Sequence, residues 1–143
     1  MKPRLNMVTL GVADLPKSRQ FYTDAFGWKP AQGSDEHIVF FNHAGIVLGL
    51  YSMEGLAEDA GISSERSGFS GITLAINAQT REELEEFYRN ALAAGAKSLI
   101  EPCDTFWGGY HSYFADPDGH HWEIAWAPFW EYDDQGSLIL AEE

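Results

Sequence analysis

From Met7 to Val12 the residues Val8, Leu10 and Val12 alternate with Met7, Thr9 and Gly11, the period-two pattern of a strand with one buried face. Asp14 then supplies a helix N-cap. Pro16 falls in the first turn, where its missing N–H costs nothing, Phe21, Tyr22 and Phe26 recur at helical spacing, and Gly27 supplies a left-handed stop. Two further strands are predicted over His37–His43 and Ile46–Tyr51, with Ala44-Gly45 as the turn between them. The polar, glycine-containing stretch that follows reads as a linker holding at most a short helical turn.

After that stretch the pattern restarts. Ile72, Leu74 and Ile76 alternate with Gly71, Thr73 and Ala75, and Thr80-Arg81-Glu82-Glu83 forms a capping box that opens a second helix. Leu84, Phe87, Tyr88 and Leu92 are its apolar stripe, and Gly95 its end. Strands are predicted over Lys97–Glu101, Tyr110–Ala115 and His120–Trp126, the last two joined by the turn Asp116-Pro117-Asp118-Gly119. An Asp133–Gly136 turn and a short edge strand over Ser137–Leu140 complete the chain. The whole reads as an α+β fold and one domain over residues 1–143: a first βαβββ unit over 5–52, a linker over 53–69, a second unit over 70–127 and a tail over 128–143.

The strand faces carry a second message. Val8, Leu10, Val12, Leu48, Leu50, Ile72, Leu74, Ile76, Trp122, Ile124 and Trp126 are bulky and belong under the helices. The opposite faces carry Met7, Thr9, Gly11, Val47, Gly49, Tyr51, Gly71, Thr73, Ala75, His121, Glu123 and Ala125, too small and too polar for a second packed core. Such a face either borders a small-molecule cavity, which needs open volume and a few orienting polar groups, or is a plain solvent-facing sheet.

Composition narrows the partners. The chain has 143 residues, 45% hydrophobic and 22% charged, the balance of an ordinary globular protein. Nine basic against twenty-two acidic residues leave a formal charge of −13, which repels phosphate backbones and anionic lipid headgroups and argues against nucleic-acid or membrane partners. A single cysteine, Cys103, permits no internal disulfide, and no apolar run is long enough to span a bilayer, so a cytoplasmic location is expected. Cys103 has no His–Asp partners at a recognisable spacing and reads as a small buried hydrophobe. The cluster Glu82, Glu83, Glu85 and Glu86 reads as a solvated helix face.

Val12-Ala13-Asp14-Leu15, Ser18, Phe21-Tyr22 and, later, Phe114-Ala115-Asp116-Pro117-Asp118-Gly119-His120-His121-Trp122-Glu123 together resemble the vicinal oxygen chelate superfamily, which includes glyoxalase I, bleomycin-resistance proteins, fosfomycin-resistance enzymes and extradiol dioxygenases. The segment Phe106-Trp107-Gly108-Gly109-Tyr110 is similar to a loop of glyoxalase-like members of unassigned activity. The resemblance implies paired βαβββ units forming an eight-stranded half-open barrel, a homodimer, and a site inside the cup. Metal-dependent members hold a divalent cation with one ligand from each of four strands, commonly two His and two Glu. Met7, Gly49 and Gly71 stand at three of those positions and only Glu123 matches, too few ligands for such an ion.

The expected function is therefore metal-free binding of a small organic molecule, with no cofactor. The alternative is a lyase, isomerase or dioxygenase-like enzyme of the same superfamily in which Glu123 acts as a base or ligates a divalent metal. The candidate ligand contacts are Met7, Thr9, Gly49, Tyr51, Gly71, Thr73, Trp107, Tyr110 and His121, with Glu123 as the candidate catalytic group. Alternation places His120 and His121 on opposite faces, and His111 and His121 are the histidines nearest Glu123 on neighbouring strands. Two readings remain open for Trp107, Tyr110 and Tyr113, contact with a planar ligand or packing at a core edge or dimer interface. Two remain open for Glu123 as well, a ligand contact or a fastener paired with Thr9, Thr73 or His121.

Overall fold

The computed structural model describes residues 1–2 and 4–141. The chain divides into two compact units, Met1–Gly71 and Ile72–Glu143.

The first unit runs β1 (Met7–Val12), α1 (Leu15–Phe26), β2 (Ile38–His43), β3 (Ile46–Ser52) and α2 (Met53–Ala60). Asp14 caps α1 by accepting from the Lys17 amide at 3.1 Å, and Gly27 ends it at φ 72°. The sheet order is β1-β3-β2, with β3 parallel to β1 and antiparallel to β2. Leu10 and Val12, Leu48 and Leu50, and Val39 and Phe41 share one buried face, against which α1 lays Phe21, Tyr22 and Ala25. At about 25 cal/mol per Å² of apolar surface, each such side chain contributes roughly 1.5–3 kcal/mol.

The first unit has three strands where the resemblance implied four. Among the described residues the two larger sheets hold three and four strands, and neither is a closed barrel. Between α1 and β2, Pro30 and Gly33, the latter at φ 95°, interrupt any extended run, leaving a loop in which the Ala31 amide donates to the Phe40 carbonyl at 2.7 Å. The expected linker begins as a helix: Ser52 caps α2 by accepting from the Gly55 amide at 3.0 Å. Met53 then covers Gly11, where an added Cβ would fall 2.6 Å from the Met53 sulfur. The clearance expected at Gly11 is thus taken up by α2.

The second unit runs β4 (Leu74–Asn77), α3 (Arg81–Ala93), β5 (Lys97–Asp104), β6 (Tyr110–Ala115) and β7 (His121–Trp126), then β8 (Glu131–Tyr132) and β9 (Leu138–Ile139). Thr80 caps α3 by accepting from the Glu83 amide at 3.0 Å. The sheet order is β4-β7-β6-β5, with β4 parallel to β7 and the other pairs antiparallel. Leu84, Tyr88 and Ala91 of α3 pack on the face bearing Phe114, Trp122 and Ile124. β4 is shorter than the alternation predicts, because Gly71 adopts φ 81°, a left-handed conformation incompatible with a strand. Ile72 is consequently 63% exposed rather than packed under a helix. The predicted tail strand pairs with β8 instead of a larger sheet, turning on Asp133, whose carboxylate accepts from the Gln135 and Ser137 amides. No helix among the described residues is long and apolar enough to cross a membrane.

The β6–β7 turn is held by one buried carboxylate. Asp116 Oδ1 accepts from the Asp118 amide at 2.9 Å and the His120 amide at 2.8 Å, and Gly119 takes φ 81°. Asp116→Ala removes an acceptor from both amides, so unfolding in urea is expected to show a loss of about 1–3 kcal/mol. In the first unit, the His43 ring lies 4.0 Å from that of Trp28, its Nε2 is buried without a hydrogen-bond partner, and burial lowers its pKa below 6.5. The unfolded chain takes up that proton more readily than the native one, so this contribution is complete above pH 6.5 and is lost as pH falls through the folded value. Melting curves of wild type and His43→Phe from pH 7 to 5 are expected to show the steeper decline in wild type.

Candidate functional site

Counting outward from the Asp116 turn fixes which side chains meet on β6 and β7. Ala115 lies opposite His121, Tyr113 opposite Glu123 and His111 opposite Ala125. On the other side of β7, Ala75 of β4 lies opposite Glu123. Because cross-strand partners share a face, His111, Tyr113, His121, Glu123 and Ala75 stand on the side of the sheet away from α3.

The polar centre of this face is a hydrogen-bonded group. His111 Nδ1 lies 2.9 Å from Glu123 Oε2, with side chains only 22% and 21% exposed. Tyr113 stands opposite Glu123, and burial, reinforced by the neighbouring Glu123 carboxylate, raises the tyrosine pKa. The His111 and Tyr113 rings meet edge to face at 5.3 Å. Within the second unit, the hydrogen-bond partner of Glu123 is therefore His111. His121, half-buried, lies two positions along β7 on the same face.

An aromatic wall stands beside His111. Trp107 meets it edge to face at 6.4 Å and stacks on Trp130 at 5.3 Å, while Phe129 packs against both tryptophans. Gly109 makes this placement possible, since an added Cβ would overlap the Trp107 ring and lie 2.8 Å from the Trp126 carbonyl oxygen. The Gly109 amide donates to Thr105 Oγ1 at 2.8 Å, closing the loop that carries Trp107. Phe106, in the same loop, is fully exposed.

Tyr110 is not part of this face. Its position in β6 aligns it with Ser112 and Phe114 on the helix side, where its hydroxyl donates to Glu85 Oε1 at 2.7 Å. The bond to Glu85 and then burial push its pKa up to about 12. Arg81, ion-paired with Asp104 at 2.6 Å, lies over the Tyr110 ring at 4.5 Å and the Trp126 ring at 5.3 Å. Glu85 is therefore a partner of Tyr110, while Glu82, Glu83 and Glu86 are solvated as expected. Cys103 is exposed on β5 opposite His111, not buried, because β5 shifts register between Ile100 and Cys103 and runs on to Asp104.

The other expected contacts belong to the first unit or precede β4. Met7, Thr9, Gly49 and Tyr51 lie on the face of the first unit's sheet away from α1. Thr9 and Phe40 lean over Gly49, where an added Cβ would come 3.3 Å from Thr9 Oγ1 and 3.7 Å from Phe40 Cδ1. Gly71 and Thr73 precede β4 and belong to no strand. That Tyr113 lies opposite Glu123 was readable from the turn register. The Trp107–Trp130 stack had no sequence signal, because it joins a loop to an irregular tail.

The profile of the Glyoxalase/Bleomycin resistance protein/Dioxygenase superfamily matches residues 4–124. The chain belongs to this superfamily. A glyoxalase-related enzyme from Fulvimarina pelagi is 34% identical, with a TM-score of 0.89 over 97% of this chain and 99% of that one. A glyoxalase/bleomycin resistance protein/dioxygenase family enzyme from Burkholderia phytofirmans PsJN is similar in fold, at 22% identity and TM-score 0.80 over 87% of this chain and 99% of that one. The lactoylglutathione lyase from Agrobacterium tumefaciens is also similar in fold, at 20% identity and TM-score 0.67 over 93% of this chain and 100% of that one. The curated proteins yield no match.

The donor set of this glyoxalase-superfamily chain does not fit the metal of its metal-dependent relatives. Met7, Gly49 and Gly71 offer no nitrogen or oxygen side-chain donor, and among the described residues no group of three or more His, Cys, Asp or Glu side chains could hold an ion. Elemental analysis of the purified protein is expected to show no stoichiometric zinc, nickel, iron or manganese. About one such ion per chain, lost in Glu123→Gln, would contradict this.

Proposed function

We propose that this superfamily member binds a small organic molecule on the face of its second sheet that carries Glu123, without a metal. One observation carries the reading: a carboxylate and an imidazole, hydrogen-bonded together and largely removed from water, converge with a phenol beside an aromatic wall away from the helix. Polar groups placed sparingly among aromatic surfaces are what orient a small guest. A sheet face serving only solvation has no use for a desolvated Glu–His pair, since removing charge and imidazole from water costs free energy that exposed side chains avoid. In this reading Glu123, His111, Tyr113, His121 and Trp107 surround the guest.

A second reading is favoured by the pairing itself. A carboxylate bonded to an imidazole is able to take up and return a proton, as a lyase or isomerase of the superfamily would require. The two readings part on whether the bound compound leaves chemically changed.

Native mass spectrometry of the protein as purified, together with titration of 2-naphthol followed by tryptophan fluorescence, tests the site. Ala75 is exposed and opposite Glu123, so Ala75→Phe fills the space beside the carboxylate without entering the core. The variant is expected to lose any co-purified molecule and to bind 2-naphthol at least about tenfold more weakly, with stability within about 0.5 kcal/mol of wild type. Unchanged binding would place the site elsewhere.

A further inference from the structure

The hydrogen bond between His111 and Glu123 fixes more than a position. An ionised carboxylate only accepts, so the proton in the His111 Nδ1–Glu123 Oε2 contact belongs to Nδ1. In the neutral ring Nε2 then carries a lone pair. The Glu123 carboxylate already receives a donor from His111, whereas His111 Nε2 has no hydrogen-bond partner among the described residues. Trp107 and Tyr113 flank the imidazole with rings near right angles to it, at 83° and 77°. Aromatic surface therefore borders the imidazole, and aromatic surface favours offset or edge contact with another flat ring.

We propose that His111, rather than Glu123, meets the bound molecule, accepting through Nε2 a hydrogen bond from a hydroxyl or N–H group carried on a flat ring. Glu123 is then a positioning residue that holds His111 in the Nδ1–H form. This rests on the reading of the Glu123 face as a binding site and names the class of guest it takes: planar, largely apolar compounds bearing one donor. The recognition is directional. A methyl ether of the same ring keeps the shape and loses the donor, leaving Nε2 desolvated and unpaired, a penalty that discriminates strongly between close analogues.

Two measurements test this. The first needs no ligand: long-range proton–nitrogen NMR of the histidine rings reports which nitrogen of His111 is protonated. The Nδ1–H form is expected in wild type and in Glu123→Gln, whose amide oxygen still accepts, and its loss is expected in Glu123→Leu, which offers no acceptor. An Nε2–H ring or a doubly protonated one in wild type near neutral pH would overturn the proposal.

The second compares 2-naphthol with 2-methoxynaphthalene by tryptophan fluorescence. Wild type is expected to prefer the naphthol by at least about tenfold. His111→Phe, which keeps an aromatic ring in place, is expected to abolish the preference while still binding the ether, and Glu123→Gln to retain most of it where Glu123→Leu does not. Equal binding of both compounds by wild type, or a preference that survives in His111→Phe, would remove His111's role and leave the binding face standing. Saturable binding of neither compound would overturn the binding face and the His111 assignment together, and melting curves of each variant confirm that folding is intact.

Discussion

Asp116 sits at the end of β6 with its carboxylate buried and its oxygen shared between two amides of the following turn. A carboxylate so placed sets the turn's length, and the length sets which residues of β6 and β7 face each other. A slip by one residue would turn every side chain of one strand to the opposite face. Glu123 would then point under α3 among Phe114 and Leu84, where an unpartnered charge costs several kcal/mol, and Trp122 would face away from the core. The chemistry of the second unit therefore depends on a turn that touches none of it. The same register aligns Tyr113 with Glu123 and puts His111 within 2.9 Å of it.

That dependence explains what was legible in the sequence. The strands and helices announced themselves through period and caps: Asp14 and Thr80 cap as read, and Gly27 closes α1 at φ 72°. The orientation of Glu123 followed from alternation alone. The partners of Glu123 required pairing information, which the Asp116–Gly119 turn contains but which counting along one strand does not reveal. Tyr110 went to the wrong face for a related reason. Its neighbourhood to Trp107 in the chain suggested a shared role, yet β6 begins at Tyr110, and parity sends that ring toward Glu85 and Arg81.

The glycines show a different limit of sequence reading. Small residues at Gly11, Gly49 and Gly71 suggested open space, but Met53 fills the first, Thr9 and Phe40 lean over the second, and the third, with nothing within 4 Å of an added Cβ, also takes a left-handed turn. A missing side chain says that something must come close or that the backbone must bend, and only the three-dimensional neighbours say which. Gly109 is the instance that bears on the site, since its missing Cβ is the room in which the Trp107 ring lies.

The side chains at Met7, Gly49 and Gly71 and the His111–Glu123 pair bear on one constraint. A carboxylate on a strand is costly unless something compensates its desolvation; a bound cation would do so in a metal site, and the His111 imidazole does so here. Substituting a donor for a cation changes what the carboxylate is free to do. Bound to a metal it would share in the ion's Lewis acidity, whereas bonded to an imidazole it would act through that ring, by holding one tautomer. On the proposal made above, the group that meets a guest is then His111 on β6, with Glu123 on β7 holding it in place.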